Sequence, residues 1–299
     1  MLNKVPEVTL YFWVIKVLCT TVGETASDYL SDNVGLGLTK TTFITGTVLI
    51  AVLVAQFRVR KYLPLVYWTA VVLISVVGTQ ITDNLTDNLG VSLVITTAGF
   101  SIVLALAFAA WYASERTLSI HTIFTRRREA FYWLAVLFTF ALGTAAGDLT
   151  AERLSLGYLT ALLIFAGAIA LVAVAHYFFG LGPITAFWIA YILTRPLGAS
   201  IGDYLSQARA DGGLGLGTTV TSVLFLATIL LVVLFLTFTR KDVTEIEAES
   251  KHDRPHANIL VVAHKTATTP VLLDSLRARA AQGVASFHLL VPISRAVKF

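Results

Sequence analysis

Long apolar segments alternate with short polar connections along the chain up to residue 239. Each segment has roughly the 20 residues that a helix needs to cross the hydrocarbon core of a bilayer. The segments are residues 9–30, 41–57, 63–85, 91–112, 129–149, 158–179, 183–205 and 218–239. The pattern therefore predicts an all-α membrane protein with eight transmembrane helices in residues 1–239.

The pattern changes after residue 239. Residues 240–257 are polar and predict a solvated linker. Residues 258–299 contain "NILVVAH", "TPVLLDSLRARAAQG" and "SFHLLVP", an order that predicts strand, helix and strand, a short βαβ-like tail. The start of this tail resembles that of universal-stress-protein-like domains. Because it has no Gly-rich phosphate loop, we expect a partial α/β domain without chemistry of its own.

Composition and charge support a membrane protein and set its orientation. The chain is 56% hydrophobic and 13% charged, whereas soluble domains carry about 25% charged residues. Basic residues concentrate on one side of the predicted spans, which predicts cytoplasmic N- and C-termini. Ten lie on that side, Lys4, Arg58, Arg60, Lys61, Arg116, Arg126, Arg127, Arg128, Arg240 and Lys241, against three on the other, Lys40, Arg153 and Arg209. This distribution explains the basic isoelectric point without a nucleic-acid partner, and the single cysteine, Cys19, excludes an internal disulfide.

An internal repeat runs through the eight segments. Four tryptophans are each preceded by an aromatic residue and followed by Gly ten positions later and Asp fifteen positions later. The tryptophans are Trp13, Trp68, Trp133 and Trp188, the glycines Gly23, Gly78, Gly143 and Gly198, and the aspartates Asp28, Asp83, Asp148 and Asp203. The units span about 9–57, 63–112, 129–179 and 183–239, and the first half recurs 120 residues later. Because each unit holds two spans, the four repeats are predicted to be parallel.

The repeat also predicts depth in the membrane. The tryptophans are expected at the cytoplasmic interface, where aromatic belts form and where Lys16 could extend its amine to the surface. Fifteen helical residues rise roughly 22 Å, so the aspartates are expected near the outer boundary of a ~30 Å core.

A Trp-bearing two-helix unit that occurs four times resembles a bacterial integral-membrane family built from four tandem repeats, each with two membrane spans and a characteristic Trp. The resemblance covers residues 9–239 and implies a multi-pass protein of the bacterial plasma (inner) membrane. It implies no activity, so function has to be argued from the side chains.

The candidate site consists of the acids of the repeat and one arginine. If the odd-numbered helices surround one axis, Asp28, Asp83, Asp148 and Asp203 form an acidic ring, a predicted ion site and candidate metal site. Glu24 lies one turn below Asp28 and adds a fifth acid. Arg195 is expected well inside a span and needs a partner, for which Glu24, at nearly the same depth, is the best candidate. Three roles stay open for Arg195: a structural ion pair, part of a proton or ion pathway, and an anion-binding group.

These observations favour transport of a small cation or divalent metal. The alternative is a non-catalytic membrane scaffold or anchor, in which the Asp and Gly residues only shape turns. An intramembrane aspartyl enzyme is disfavoured, because four equivalent acids at one level do not single out a catalytic pair. No resident cofactor is expected. The expected partner is the lipid bilayer, and a homo-oligomer or a partner for the tail stays open.

Overall fold

Eight long helices occupy residues 10–239 in a computed structural model that describes residues 3–243, 257–262, 270–280 and 285–290. They are α1 (Leu10–Asp28), α2 (Leu38–Arg58), α3 (Pro64–Asp83), α4 (Leu93–Glu115), α5 (Arg126–Asp148), α6 (Tyr158–Phe179), α7 (Pro183–Ser206) and α8 (Thr218–Thr239). By length and composition, α2 to α8 are able to cross a membrane, so the chain is an integral membrane protein with several spans. The first predicted span forms α1, which does not meet the same criterion; it carries Lys16 and Glu24.

Proline and glycine set several helix starts. Proline occupies the first position of α3 and of α7, where no backbone donor is needed. Gly37, Gly157 and Gly217 directly precede α2, α6 and α8 with φ values of 75°, 76° and 80°. Only glycine adopts this left-handed conformation without strain, so the Gly-rich connections act as tight turns between consecutive helices.

The odd-numbered helices form a closed inner ring. Helix α1 packs against α3, α3 against α5, α5 against α7, and α7 returns to α1. The even-numbered helices lie outside, and each packs on the odd helix of the next repeat: α2 on α3, α4 on α5, α6 on α7 and α8 on α1. Burial agrees with this inner and outer arrangement. In the most apolar stretch of the inner helix α3, 67% of the residues are buried, compared with only 11% in the outer helix α2. The predicted meeting of the odd helices around one axis is therefore present.

The tail forms a separate unit. Its described parts are strand β1 (Ala257–Val262), helix α9 (Pro270–Ala280) and strand β2 (Ala285–Leu290). The two strands pair in parallel, with Ala257 opposite Ala285 and Val262 opposite Leu290. Most of the predicted linker, 244–256, lies outside the described residues.

Candidate functional site at the centre of the helix ring

The glycine of each repeat marks a close contact between neighbouring inner helices. A Cβ atom built on Gly78 would lie 2.8 Å from the Cβ of Phe140, a separation that real Cβ atoms essentially never show. In the same way Gly23 faces Ser75, Gly143 faces Arg195 and Gly198 faces Thr20. In each case the partner lies seven residues after the Trp of the next repeat, and the fourth repeat meets the first. Four equivalent contacts therefore close the ring, as small residues permit between membrane helices.

The aromatic pairs make a second cyclic layer. The residue before each Trp contacts the Trp of the next repeat, with ring centroids 5.4–6.3 Å apart. The pairs are Phe12–Trp68, Tyr67–Trp133, Tyr132–Trp188 and Phe187–Trp13. Trp68, Trp133 and Trp188 are buried. The expectation that the tryptophans serve as interfacial anchors is therefore wrong for these three, because their rings pack between repeats.

Arg195 lies at the centre of the ring and is fully buried. Its Nη2 donates to Glu24 Oε2 at 2.9 Å, to Thr144 Oγ1 at 2.6 Å and to Thr79 Oγ1, while Nη1 donates to the Thr20 carbonyl at 3.4 Å. The predicted pairing of Arg195 with Glu24 is present in this geometry. A guanidinium is suited to this position because its donors are fixed in one plane and can serve several oxygens at once.

The three side chains around Arg195 Nη2 occupy the same repeat position. Glu24, Thr79 and Thr144 each lie eleven residues after a Trp, and the fourth member is Ala199. Thr79 lies within 3.5 Å of Glu24 Oε2 and 3.4 Å of Thr144 Oγ1. The cluster lies roughly 10–16 Å along the helices from the Trp level, close to the middle of a ~30 Å core.

Lys16 is a second buried basic residue of the inner helices. Its Nζ lies 3.8 Å from the centroid of the Phe140 ring and 4.2 Å from that of Tyr191. Within the part of the chain that the structure describes, this Nζ makes no hydrogen bond. The expectation that Lys16 extends to the inner surface is wrong, because the side chain lies between aromatic rings of the third and fourth repeats, where cation–π attraction stabilises it.

The repeated aspartates lie at the opposite end of the inner helices from the tryptophans. Asp28, Asp83 and Asp148 are the last residues of α1, α3 and α5, and each is followed by a five-residue π-helical turn. π-helical turns are rare in proteins, and those that occur are often found at functional sites. Helix α7 instead continues past Asp203, which is buried. Asp28, Asp83 and Asp148 thus end three neighbouring inner helices at one level, about one helical turn beyond the level of Glu24.

A metal centre finds no support in this arrangement. Among the described residues, no group of three or more His, Cys, Asp or Glu side chains is placed so that it could hold a metal ion. The buried guanidinium of Arg195 would also repel a metal cation on the axis. The structure thus brings Glu24 and Arg195 together directly, and sets the four aspartates one layer farther out.

Sequence reasoning assigned Arg195 no partner other than Glu24, and it did not predict the burial of Lys16. Thr79 and Thr144 hold Arg195 as directly as Glu24 does, and their position was visible from the repeat, since both align with Glu24. The burial of Lys16 had no comparable signal, because a lysine three residues from a Trp fits either the interface or the interior.

The comparisons with known proteins agree with the repeat. A search of curated proteins and a search of solved structures each gave no match. The profile of one family matches four times, at residues 11–62, 66–117, 131–181 and 186–242, which together cover most of the chain. The protein therefore belongs to the family described as Repeat of Unknown Function (DUF347).

Proposed function

We propose that this membrane protein carries protons across the bilayer through the centre of the inner helix ring, with Glu24 as the proton-binding group and Arg195 as its charge partner. The observation that carries the proposal is the fully buried Arg195, held by Glu24 and by hydroxyls from two other repeats. Ionisable residues inside membrane proteins are rare and mark ion pathways and proton relays.

Energetics argue that the pair is more than a structural contact. A buried ion pair gains little over well-packed apolar side chains, because both charges lose their hydration. The other three members of the Arg195 layer are Thr20, Ser75 and Phe140, so the fold already accommodates uncharged side chains at this position. Neutral side chains would be sufficient to pack this layer. The presence of a charged pair therefore favours a functional role that requires charge.

Other ionisable groups lie on both sides of the site along the axis of the inner helix ring. On the Trp side lies Lys16, which is three residues after Trp13, whereas Arg195 is seven residues after Trp188. On the other side lies the level of the repeated aspartates Asp28, Asp83, Asp148 and Asp203, fifteen residues after each Trp. We propose that these aspartates collect protons at the outer face, that Glu24 receives them, and that Lys16 passes them toward the cytoplasmic side. In this proposal α1 crosses the membrane as an eighth span, enclosed by α3, α7 and α8.

The proton is the small cation that this centre suits best. The inner helices touch at the four glycines, so the centre is closely packed. A proton can move along hydroxyls and carboxylates without a passage wide enough for a hydrated ion. It also needs no cage of oxygen ligands, in contrast to a divalent metal.

A scaffold is the second candidate, and one observation favours it. Arg195 and Glu24 belong to the last and the first repeat, so their bond also fastens the two ends of the ring. If this were its whole role, removal of both charges would change the stability of the protein but no transport activity of the folded protein.

Proton flux in vesicles separates the two candidates. The full-length protein is reconstituted in liposomes that contain a pH-sensitive dye, and a potassium–valinomycin potential drives the flux. We expect the double variant Glu24→Gln/Arg195→Gln, which keeps charge balance, to conduct no faster than protein-free vesicles. The matched control is Lys4→Gln/Glu129→Gln, because Lys4 Nζ and Glu129 Oε2 form another buried ion pair, 2.6 Å apart, near the predicted cytoplasmic ends of the helices. Equal flux in both double variants would overturn the proposal.

The aspartate level is tested in the same vesicles. Substitution of Asp28, Asp83, Asp148 and Asp203 by Asn removes the proposed proton collector but leaves Glu24 and Arg195 in place. We expect slower flux that saturates at a higher external proton concentration. Unchanged flux with correctly folded protein would remove the aspartates from the pathway.

A further inference from the structure

A pocket of about 640 Å³ opens at the predicted cytoplasmic ends of α6 and α7. Its apolar wall includes Trp13, Val172, Ala173 and Phe187, and its polar wall includes His121 and His176. The volume lies within the range of about 300–1,000 Å³ that is typical of small-molecule sites.

The repeat explains why a pocket exists at this interface. In the second repeat, Phe108 and Trp111 of α4 pack against Trp188, with ring centroids 4.9 and 5.7 Å apart. They lie 40 and 43 residues after Trp68. The residues at the same positions after Trp133 are Ala173 and His176, which face the pocket together with Trp13. Aromatic rings fill the space beside Trp188. At the equivalent place beside Trp13 the side chains are smaller, so the space stays open.

The polar end of the pocket lies in a strongly basic connection. Residues 116–128 contain four arginines and no acidic residue. His121, on the pocket wall, is exposed and lies 3.7 Å from Glu7, while Arg127 and Arg128 pair with Glu115. Arg116 and Arg126 are exposed and give this surface its remaining positive charge. Apolar space beside a basic surface at the membrane boundary complements an acyl chain attached to an anionic headgroup.

We propose that this pocket binds one anionic phospholipid, with an acyl chain between α6 and α7 beside Trp13 and the headgroup phosphate at His121 and the arginines of residues 116–128. The site is independent of the proposed proton pathway. Its occupant is a lipid and not a peptide helix, because the apolar wall is built mainly from α6 and α7, two helices able to cross a membrane, and includes the exposed side chain of Tyr177.

Brominated lipids, which quench nearby indole fluorescence, provide the test. The full chain is reconstituted in phosphatidylcholine vesicles that contain a small fraction of phosphatidylglycerol with brominated acyl chains. Subtraction of the signal of Trp13→Phe isolates the contribution of Trp13. We expect strong quenching of this contribution by brominated phosphatidylglycerol and little by the same fraction of brominated phosphatidylcholine.

Two variants show whether the quenching arises in the pocket. Ala173→Phe restores the aromatic residue of the second repeat and should abolish the preference for phosphatidylglycerol, whereas Ala170→Phe, on the exposed surface of α6 outside the pocket, should retain it. Arg116→Gln changes an exposed arginine of residues 116–128 and should weaken the preference about fivefold, the size expected for loss of one cation near a phosphate. Equal quenching by both lipids, or loss of the preference in Ala170→Phe, would overturn the proposal.

Discussion

Gly198 packs so closely against Thr20 that a methyl group on Gly198 would overlap the Thr20 hydroxyl. The contact joins α7 to α1, the last inner helix to the first, and matches the glycine contacts between the other neighbouring inner helices. The ring is therefore closed by the same geometry that builds it, and a single chain achieves what a tetramer of identical subunits would achieve with fourfold symmetry.

This contact predicts a strong effect of a very small change. Gly198→Ala should destabilise the protein by about 1–3 kcal/mol, the usual range for an overpacked core. The matched control is Gly46→Ala in the outer helix α2, where no atom lies within 4 Å of the added Cβ. Because alanine favours helix over glycine, this control should be neutral or stabilising by up to about 1 kcal/mol.

Unfolding in mild detergent, followed by circular dichroism, measures both variants. If Gly198→Ala were as stable as Gly46→Ala, the close approach of α7 and α1 would be contradicted.

The ion pair predicts a non-additive pair of substitutions. Glu24→Gln alone leaves the buried Arg195 charge without its carboxylate and should destabilise by about 3–5 kcal/mol. Glu24→Gln combined with Arg195→Gln removes both charges and should recover most of that loss. The measurement is a double-mutant cycle on the free energy of unfolding, completed by Arg195→Gln. Additive losses would mean that the two side chains do not act as a pair.

The sequence indicated depth and spacing well, and side-chain direction poorly. A residue count after each Trp was enough to place Glu24 near Arg195, because counts of eleven and seven differ by only about one helical turn of depth on parallel helices. The same count could not show that Trp68 turns toward Phe12 and away from lipid, since that depends on helix rotation and on the neighbouring repeat. For the same reason Lys16 was expected at the surface, although Phe140 and Tyr191 enclose it.

A buried carboxyl after α8 predicts a pH effect on stability. Asp242 Oδ2 accepts a hydrogen bond from Tyr62 Oη at 2.6 Å, and Tyr62 Oη accepts one from Trp68 Nε1 at 3.1 Å. Burial raises the pKa of Asp242, although the Tyr62 hydrogen bond acts in the opposite direction. Burial likewise raises the pKa of Tyr62, which therefore stays protonated and able to donate at neutral pH.

The direction of the effect follows from this shift. A raised pKa in the folded state means that the fold favours the neutral carboxyl, so its contribution is complete below the ordinary pKa of Asp, about 3.9. It is lost as the pH rises through the raised pKa. The stability of the native protein relative to Asp242→Asn should therefore fall with rising pH, measured by thermal unfolding in detergent at a series of pH values. A difference that rises or stays constant with pH would contradict the assignment.

Orientation in the membrane can be tested at the two ends of one helix. Helix α2 has 21 residues and spans roughly 30 Å, with Lys40 in its first turn and Lys61 just beyond its end, both exposed. In a Cys19→Ala background, Lys40→Cys should react with a membrane-impermeant maleimide in intact cells. Lys61→Cys should react only after permeabilisation, because the concentration of basic residues at its end of α2 predicts a cytoplasmic location. The reverse labelling pattern would invert the protein and place the aspartates on the cytoplasmic side, so that protons would enter the proposed pathway from inside the cell.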